Sequence, residues 1–196
     1  MSRALVIMFL VLLLIASGLA LYAHYLRGRV AQEEQRLAAQ QAAMLPPAGG
    51  PTTPVVMYVA SDAEGTLRRQ QESLALPEER SERARAILRA LLAKYLAAGS
   101  THPIGAGSDV RDVFLLGSDT AVVDTTAGFA DSHPSGVLAE ELTIASLVET
   151  LNANDPRITR VKILVDGKER ETLAGHADLG RFYMTSELEM FAKDTK

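Results

Sequence analysis

The chain has 196 residues, which is enough for one ordinary domain with additional segments. It has no Cys, which excludes a disulfide framework, thiolate metal sites, a cysteine nucleophile and a lipid-modified cysteine. The net charge of −4 argues against a general nucleic-acid binder. The charge is uneven, because residues 1–54 carry a net +2 and residues 55–196 a net −6.

The first recognisable segment has no charged residue. From Ala4 to Leu26 there are 23 residues without Asp, Glu, Lys or Arg. As a helix they would be about 35 Å long, more than the roughly 30 Å of a bilayer's hydrocarbon core. The sequence therefore predicts a transmembrane helix over residues 4–26, after a short tail of residues 1–3, that anchors the chain in the inner membrane.

Two alternatives to this topology stay open. Gly18-Leu19-Ala20 could be the cleavage site of a signal peptide. The apolar run continues to Tyr25, beyond the usual ~7–15 residues of a signal sequence, and this favours an uncleaved anchor. The arginines on either side of the segment differ by about one charge, so the positive-inside rule leaves the orientation undecided.

A polar spacer separates the anchor from the rest. Residues 27–45 are rich in Ala, Gln, Glu and Arg and predict a juxtamembrane helix. Residues 46–54 contain four prolines and cannot continue a helix, so they predict a linker. The main domain is expected over residues 55–180, followed by a polar tail over 181–196.

The first half of the domain predicts two strands and a helix. Val55–Val59 is a short apolar run typical of a buried strand, and Thr66–Leu76 is its expected partner, with a polar middle that suits an edge strand. Pro77–Ala98 has apolar residues at i, i+3 and i+4 spacing. Its opposite face is basic and could bind an anion, although a solvated face is the favoured interpretation.

The second half repeats this order. Val110–Leu116 and Thr120–Asp124 predict a hairpin, Gly128–Gly136 a loop, and Val137–Asn152 a helix with a wide apolar face. Ile158–Asp166 predicts a further strand that ends in an Asp-Gly turn.

After this turn the sequence predicts a short returning strand at Lys168–Leu173 and a loosely held tail from Arg181. The order of elements predicts an α+β fold. We expect a two-layer sandwich, with both amphipathic helices on one face of a mixed sheet of about four to five strands.

Candidate chemistry is sparse. The Asp131–Ser135 segment is the only local cluster that resembles a nucleophile beside a base, but such residues are ordinary in turns, and no oxyanion hole is indicated. The four histidines lie in separate segments, without the spacing of a zinc site. The sequence therefore predicts no catalytic residue, no metal and no cofactor.

Three polar residues remain as candidate interaction residues. Asp124 and Thr125 end a predicted strand, and His133 lies in the loop that follows. They could form a polar rim for a partner or a wall polymer. The alternative, that Asp124 simply ends the strand in a turn, is favoured because polar loop residues are common.

Several motifs, in their order and spacing, resemble the GerMN domain, the module named after the GerM protein of sporulation and spore germination. These landmarks are Val56–Val59, Ile87–Leu92, Val122–Thr126, Glu141–Leu151, and Val161–Gly167 with Glu171–His176. The chain departs from the family pattern in three ways: it has no lipid-modified cysteine, it fits only one copy, and its 99–103 turn is longer.

The resemblance implies an extracytoplasmic, non-catalytic binding or assembly module of the cell envelope. Its partner would be an envelope protein or peptidoglycan, and the similar ring-building-motif folds imply a homo-oligomer as a further option. Two alternatives stay open. One is an envelope hydrolase that acts on wall material through Asp131–Ser135, and the other is a cytoplasmic, membrane-tethered interaction domain.

Overall fold

A computed structural model describes residues 51–193. They belong to the second of the two units into which the chain divides, residues 46–196. The predicted anchor (4–26) and juxtamembrane helix (27–45) lie outside the described residues. Within the described part of the chain, no helix combines the length and the apolar character that crossing a membrane requires.

The domain begins with a long hairpin. β1 (Thr52–Ser61) pairs antiparallel with β2 (Thr66–Ala75) along its whole length. Gly65 closes the turn with a φ of +64°, a conformation that glycine adopts without strain. Both predicted strands are confirmed, and β2 is largely exposed, as its polar middle predicted. β1 starts inside the predicted linker, because Pro54 is already paired with Ser73.

The first helix, α1 (Arg80–Leu96), follows the predicted apolar stripe. The Glu79 side chain caps its start by accepting the N–H groups of Ser81 and Glu82 at 3.0 and 2.7 Å. The helix buries Ala84, Ile87, Leu88, Leu91, Leu92 and Tyr95.

Part of the basic face of α1 is paired within the molecule. Arg89 binds the Asp109 carboxylate at 2.9–3.1 Å and the Val110 carbonyl at 2.8 Å. Lys94 binds Glu72 of β2. These residues therefore fasten α1 to its neighbours and are not a free anion site.

The remaining strands form a mixed sheet in the order β3-β4-β5-β6. These strands are β3 (Val110–Leu116), β4 (Thr120–Thr125), β5 (Arg160–Val165) and β6 (Tyr183–Met184). β4 and β5 are parallel, and the other two pairs are antiparallel. The connection from β4 to β5 runs through α2 (Ala127–Asp131) and α3 (Val137–Asn154). The expected Gly128–Gly136 loop thus contains a short helix, whose Phe129 is buried.

The predicted α+β class is confirmed, but the prediction that all strands share one mixed sheet is wrong, because the hairpin belongs to a separate sheet, ordered β1-β2-β7. The free edge of β1 is covered by side chains instead of by another strand. Asn154 accepts the Val56 N–H at 3.1 Å and donates to the Val56 carbonyl at 2.6 Å. Thr150 accepts the Tyr58 N–H at 3.0 Å, and Ser146 donates to the Tyr58 carbonyl at 2.6 Å.

The same arrangement continues at the end of β1. Tyr95 of α1 accepts the Ala60 N–H at 2.9 Å, and Thr101 donates to the Ala60 carbonyl at 2.8 Å. The Tyr95 hydroxyl also hydrogen-bonds Ser146, and because Ser146 already donates its proton to Tyr58, Tyr95 is the donor in this pair.

Helix and strand repeats match along this edge. Four residues of an α-helix advance about 6.0 Å, and two residues of a strand advance about 6.6 Å. Side chains at i, i+4 and i+8 of α3 can therefore meet every second residue of an antiparallel strand. Ser146, Thr150 and Asn154 have this spacing, and they are buried or half-buried. Asn154 bonds to Val56, whereas Thr150 and Ser146 bond to the N–H and the carbonyl of Tyr58, two residues further along β1.

The end of the chain also differs from the expectation. Residues 168–173 form isolated bridges and no strand. The predicted loose tail contains β6, α4 (Thr185–Leu188), a 3-10 turn (Glu189–Phe191) and β7 (Ala192–Lys193), which pairs parallel with β2. The tail therefore adds one strand to each sheet, and its Tyr183 and Leu188 are buried.

The edge contact can be tested with two matched substitutions. Thr150→Val leaves the partly buried Tyr58 N–H without an acceptor and should lower the free energy of unfolding by about 1–3 kcal/mol. Thr66→Val removes a buried hydroxyl that has no hydrogen-bond partner among the described residues and should be neutral or stabilising. Urea unfolding of both variants measures this, and equal effects would contradict the assigned role of Thr150.

Candidate functional site

The predicted residues Asp124 and Thr125 have structural partners. Asp124 accepts the Gly167 N–H at 2.6 Å and faces the Arg111 guanidinium at 3.3 Å. Thr125 donates to the Leu164 carbonyl at 2.8 Å. Both side chains are buried, and they hold β4 against β5 and the turn that follows it. This position supports the interpretation that Asp124 ends the strand in a turn.

His133 lies in a different network, so the structure does not place it with Asp124 and Thr125. Its Nδ1 faces the Pro134 carbonyl at 2.8 Å, and its Nε2 lies 2.7 Å from the Thr143 hydroxyl. The same hydroxyl lies 2.6 Å from His102 Nε2, and His102 Nδ1 lies 2.5 Å from the Asp62 carboxylate. Three loops therefore meet on Thr143 of α3.

The Thr143 hydroxyl joins both histidines to α3. Besides facing the two Nε2 atoms, it donates to the Ala139 carbonyl one helical turn earlier, at 3.1 Å. Both Nδ1 atoms face oxygens that can only accept, so each Nδ1 carries a hydrogen. Burial lowers the pKa of His133, which favours its neutral ring.

A second network surrounds Glu140 in the first turn of α3. Its side chain is fully buried, and Oε2 accepts the N–H groups of Ala174, His176 and Ala177 at 2.9–3.0 Å. Oε1 accepts the Gly136 N–H at 3.1 Å and faces His176 Nδ1 at 2.8 Å. Burial raises the pKa of Glu140, but the bonds from His176 and the backbone outweigh it and hold the pKa at about 2.

The start of α3 also exposes apolar side chains. Val137 and Leu138, predicted on the buried face, are 57% and 45% exposed. His176 and Asp62, the outer members of the two networks, have side chains that are 42% and 43% exposed. We call these four residues the α3 start surface. It combines two apolar side chains with an imidazole and a carboxylate, and the buried Glu140 and His102 hold these two polar groups in place by hydrogen bonds.

The Asp131–Ser135 segment does not form a nucleophile–base pair. Ser132 donates to the backbone, with the Gly128 and Ala106 carbonyls at 2.5 and 3.1 Å. Asp131 pairs with Arg170 at 2.6 Å. Both nitrogens of His133 are already engaged by Pro134 and Thr143. Within residues 51–193, no three His, Cys, Asp or Glu side chains are grouped so that they could hold a metal ion.

Sequence reasoning missed the partners of these residues. In the sequence, Glu140 is only an acidic residue at a predicted helix start, and His102 and His133 lie in separate predicted loops. His102 and Asp62 are 40 residues apart, and Glu140 and His176 are 36 apart. Only the motif order around residues 141–151 and 171–176 gave a signal that these segments belong together.

A family comparison agrees with this fold. The family model described as Germane, sporulation and spore germination, matches residues 56–171, more than half of the chain. The chain belongs to this family. The match covers most of the first hairpin, the whole second hairpin and both long helices, and it includes Glu140. A search of curated proteins finds no match to the sequence.

Solved structures of GerMN domains are similar to this one. The first GerMN domain of the sporulation protein GerM from Bacillus subtilis is 20% identical, with a TM-score of 0.50, and the alignment covers 65% of this chain and 92% of that one. The tandem GerMN domains of the same protein are 22% identical, with a TM-score of 0.49, and the alignment covers 65% of this chain and 44% of the tandem.

A third structure is a putative lipoprotein from Clostridium perfringens, 15% identical with a TM-score of 0.47, where the alignment covers 73% of this chain and 94% of that one. Of the three, the single GerMN domain is similar enough to support the shared fold. The resemblance to the GerMN domain is thereby confirmed.

The Glu140 network yields a prediction with a pH signature. Because its pKa is lowered on folding, the Glu140 carboxylate stabilises the GerMN domain above the unfolded value of 4.5, and this contribution is lost as the pH falls toward 2. Glu140→Gln should destabilise the protein by about 2–3 kcal/mol near neutral pH, with a smaller difference at about pH 3.

Glu141→Gln is the matched control, because Glu141 is the exposed neighbour in the same helical turn. Urea unfolding of the two variants and the wild type at both pH values measures the effect. A difference for Glu140→Gln that does not shrink in acid would show that its carboxylate charge is not what holds the 174–177 loop.

Proposed function

We propose that this chain is a membrane-anchored, non-catalytic module of the bacterial cell envelope, which displays its GerMN domain outside the cytoplasm and binds a partner there. Three features support the proposal. The uncharged segment over residues 4–26 is long enough for a membrane anchor. The four prolines of residues 46–54 suit a semi-extended tether. The family is the one described as sporulation and spore germination.

One observation carries the binding role. The polar groups that could do acid–base chemistry, His102, His133, Thr143 and Glu140, are buried and hydrogen-bonded to one another or to backbone. In contrast, Val137 and Leu138 are exposed beside them. Catalysis needs a reactive group that substrate can reach. Exposed apolar side chains beside fixed polar groups are instead typical of a binding surface.

We favour an envelope protein as the partner of the α3 start surface. Two adjacent apolar side chains match the buried centre of a protein interface better than a sugar polymer. Peptidoglycan and a second copy of the chain are the competing partners. A hydrolase working through Asp131–Ser135 is disfavoured because both nitrogens of His133 are occupied. A role in sporulation or germination follows from the family description alone.

The test is site-specific photo-crosslinking in intact cells with the full chain. A photoreactive residue at Leu138 should give a discrete protein adduct, whereas the same residue at Arg69, exposed on β2, should not. Adding Val137→Glu should abolish the adduct and change the stability of folding by less than about 0.5 kcal/mol, since Val137 is exposed at a helix start.

Equal crosslinking at Leu138 and Arg69 would contradict the proposed surface. A reporter fused after Lys196 tests the compartment independently. Activity of an export-dependent reporter is expected, and activity only of a cytoplasmic reporter would contradict the proposed topology and favour the tethered cytoplasmic domain.

A further inference from the structure

A groove lies at the opposite end of α3, between the start of α1 and the segment that follows α3. Its volume is about 380 Å³, within the range of small-ligand sites. The 18 residues of α3 separate it from the α3 start surface by roughly 27 Å. The groove is therefore independent of the surface to which the proposed function was assigned.

The floor of the groove is apolar and its walls are basic. Ala84, Ile87, Leu151 and Ile158 line the floor. Three arginines, Arg80, Arg83 and Arg157, stand around it, with Glu78 and Asp155 as the acidic lining residues. The lining therefore carries one net positive charge, in a domain segment whose net charge is −6.

The existing ion pairs leave most of the guanidinium donors unused. Arg80 donates two bonds to Asp155, at 3.0 and 2.6 Å. Arg157 also donates two side-chain bonds to the same carboxylate, at 2.9 and 3.2 Å. A guanidinium has five N–H donors. One carboxylate thus serves two arginines, and several N–H groups of each remain free of partners among the described residues.

Arg83 is the least engaged of the three. Its one described bond is a long donation from Nε to the Pro77 carbonyl, at 3.3 Å. It forms no ion pair with any residue in the described range 51–193. The guanidinium of this half-buried arginine has no carboxylate partner in the described range and lies beside an apolar floor, so it has the free hydrogen-bonding capacity that an incoming anion would use.

We propose that this groove binds an acidic peptide segment of a partner protein, with an aliphatic side chain on the apolar floor and a carboxylate on Arg83 and Arg157. A carboxylate matches the paired N–H donors of a guanidinium. Asp155 already demonstrates this fit within the groove, because two of its arginines hold one carboxylate. The floor would be left unused by a small inorganic anion, so a peptide accounts for both parts of the groove.

The test uses the full-length protein and two fluorescent peptides that differ only in charge, one alternating Leu and Glu and one alternating Leu and Gln. Fluorescence anisotropy should show binding of the acidic peptide and much weaker binding of the neutral one. Arg83→Ala should weaken binding of the acidic peptide about tenfold or more. Arg83→Glu should abolish it. Increasing salt should weaken it.

Arg83→Ala is the decisive variant, because it leaves the Arg80–Asp155 and Arg157–Asp155 pairs intact. Arg69→Ala is the matched control, since Arg69 is an exposed arginine on β2 outside the groove. Unfolding curves identify any variant that fails to fold.

Four results would overturn the proposal: no binding of the acidic peptide, equal binding of both peptides, equal affinity of the wild type and Arg83→Ala, or an equal loss in Arg69→Ala. Displacement of the peptide by inorganic phosphate but not by acetate would also overturn it, because the groove would then be a phosphate site. None of these outcomes affects the α3 start surface, which is tested by different residues.

Discussion

The architecture of this GerMN domain depends on side chains that make, at the free edge of β1, the backbone hydrogen bonds that a neighbouring strand would make. Along the free edge of β1, the N–H and carbonyl groups of Val56, Tyr58 and Ala60 all bond to side chains. Asn154, for example, makes both bonds that a neighbouring strand residue would make to Val56. An unpaired sheet edge invites association with other chains. Here the edge is closed within the molecule, and the hairpin is fixed to α3.

This contact makes α3 the element that organises the domain. Its end holds β1 through Asn154, and its middle holds the 102 and 133 loops through Thr143. Its start holds the 174–177 loop through Glu140. A helix used in this way has buried polar groups on several sides, and an unpartnered buried polar group costs about 1–3 kcal/mol. The polar side chains named above are all hydrogen-bonded, whereas Oε1 of the buried Glu149 has no partner among the described residues. The two proposed binding surfaces therefore lie at the two ends of α3, where it is less enclosed by the rest of the domain.

The sequence predicted what local periodicity controls. The predictions of the apolar stripe of α1 and of the β1–β2 hairpin were correct, because each depends on residues that are close together in the sequence. The roles of the polar residues of α3 could not be predicted, because the hydrogen-bond partners of Thr143, Ser146 and Thr150 are distant in the sequence. A two-residue strand such as β6 is too short to show the alternation of apolar and polar residues by which a strand is predicted. For the candidate site, His133 was singled out, but its partners His102 and Thr143 could not be.

Amide hydrogen exchange along β1 tests the central claim most directly. In an antiparallel hairpin, alternate amides point to the partner strand and to the free edge. If side chains close that edge, the amides of Val56, Tyr58 and Ala60 should be protected about as strongly as those of Val55, Met57 and Val59. Rapid exchange of Val56, Tyr58 and Ala60, with protection only at the alternate positions, would show an open edge and contradict the account.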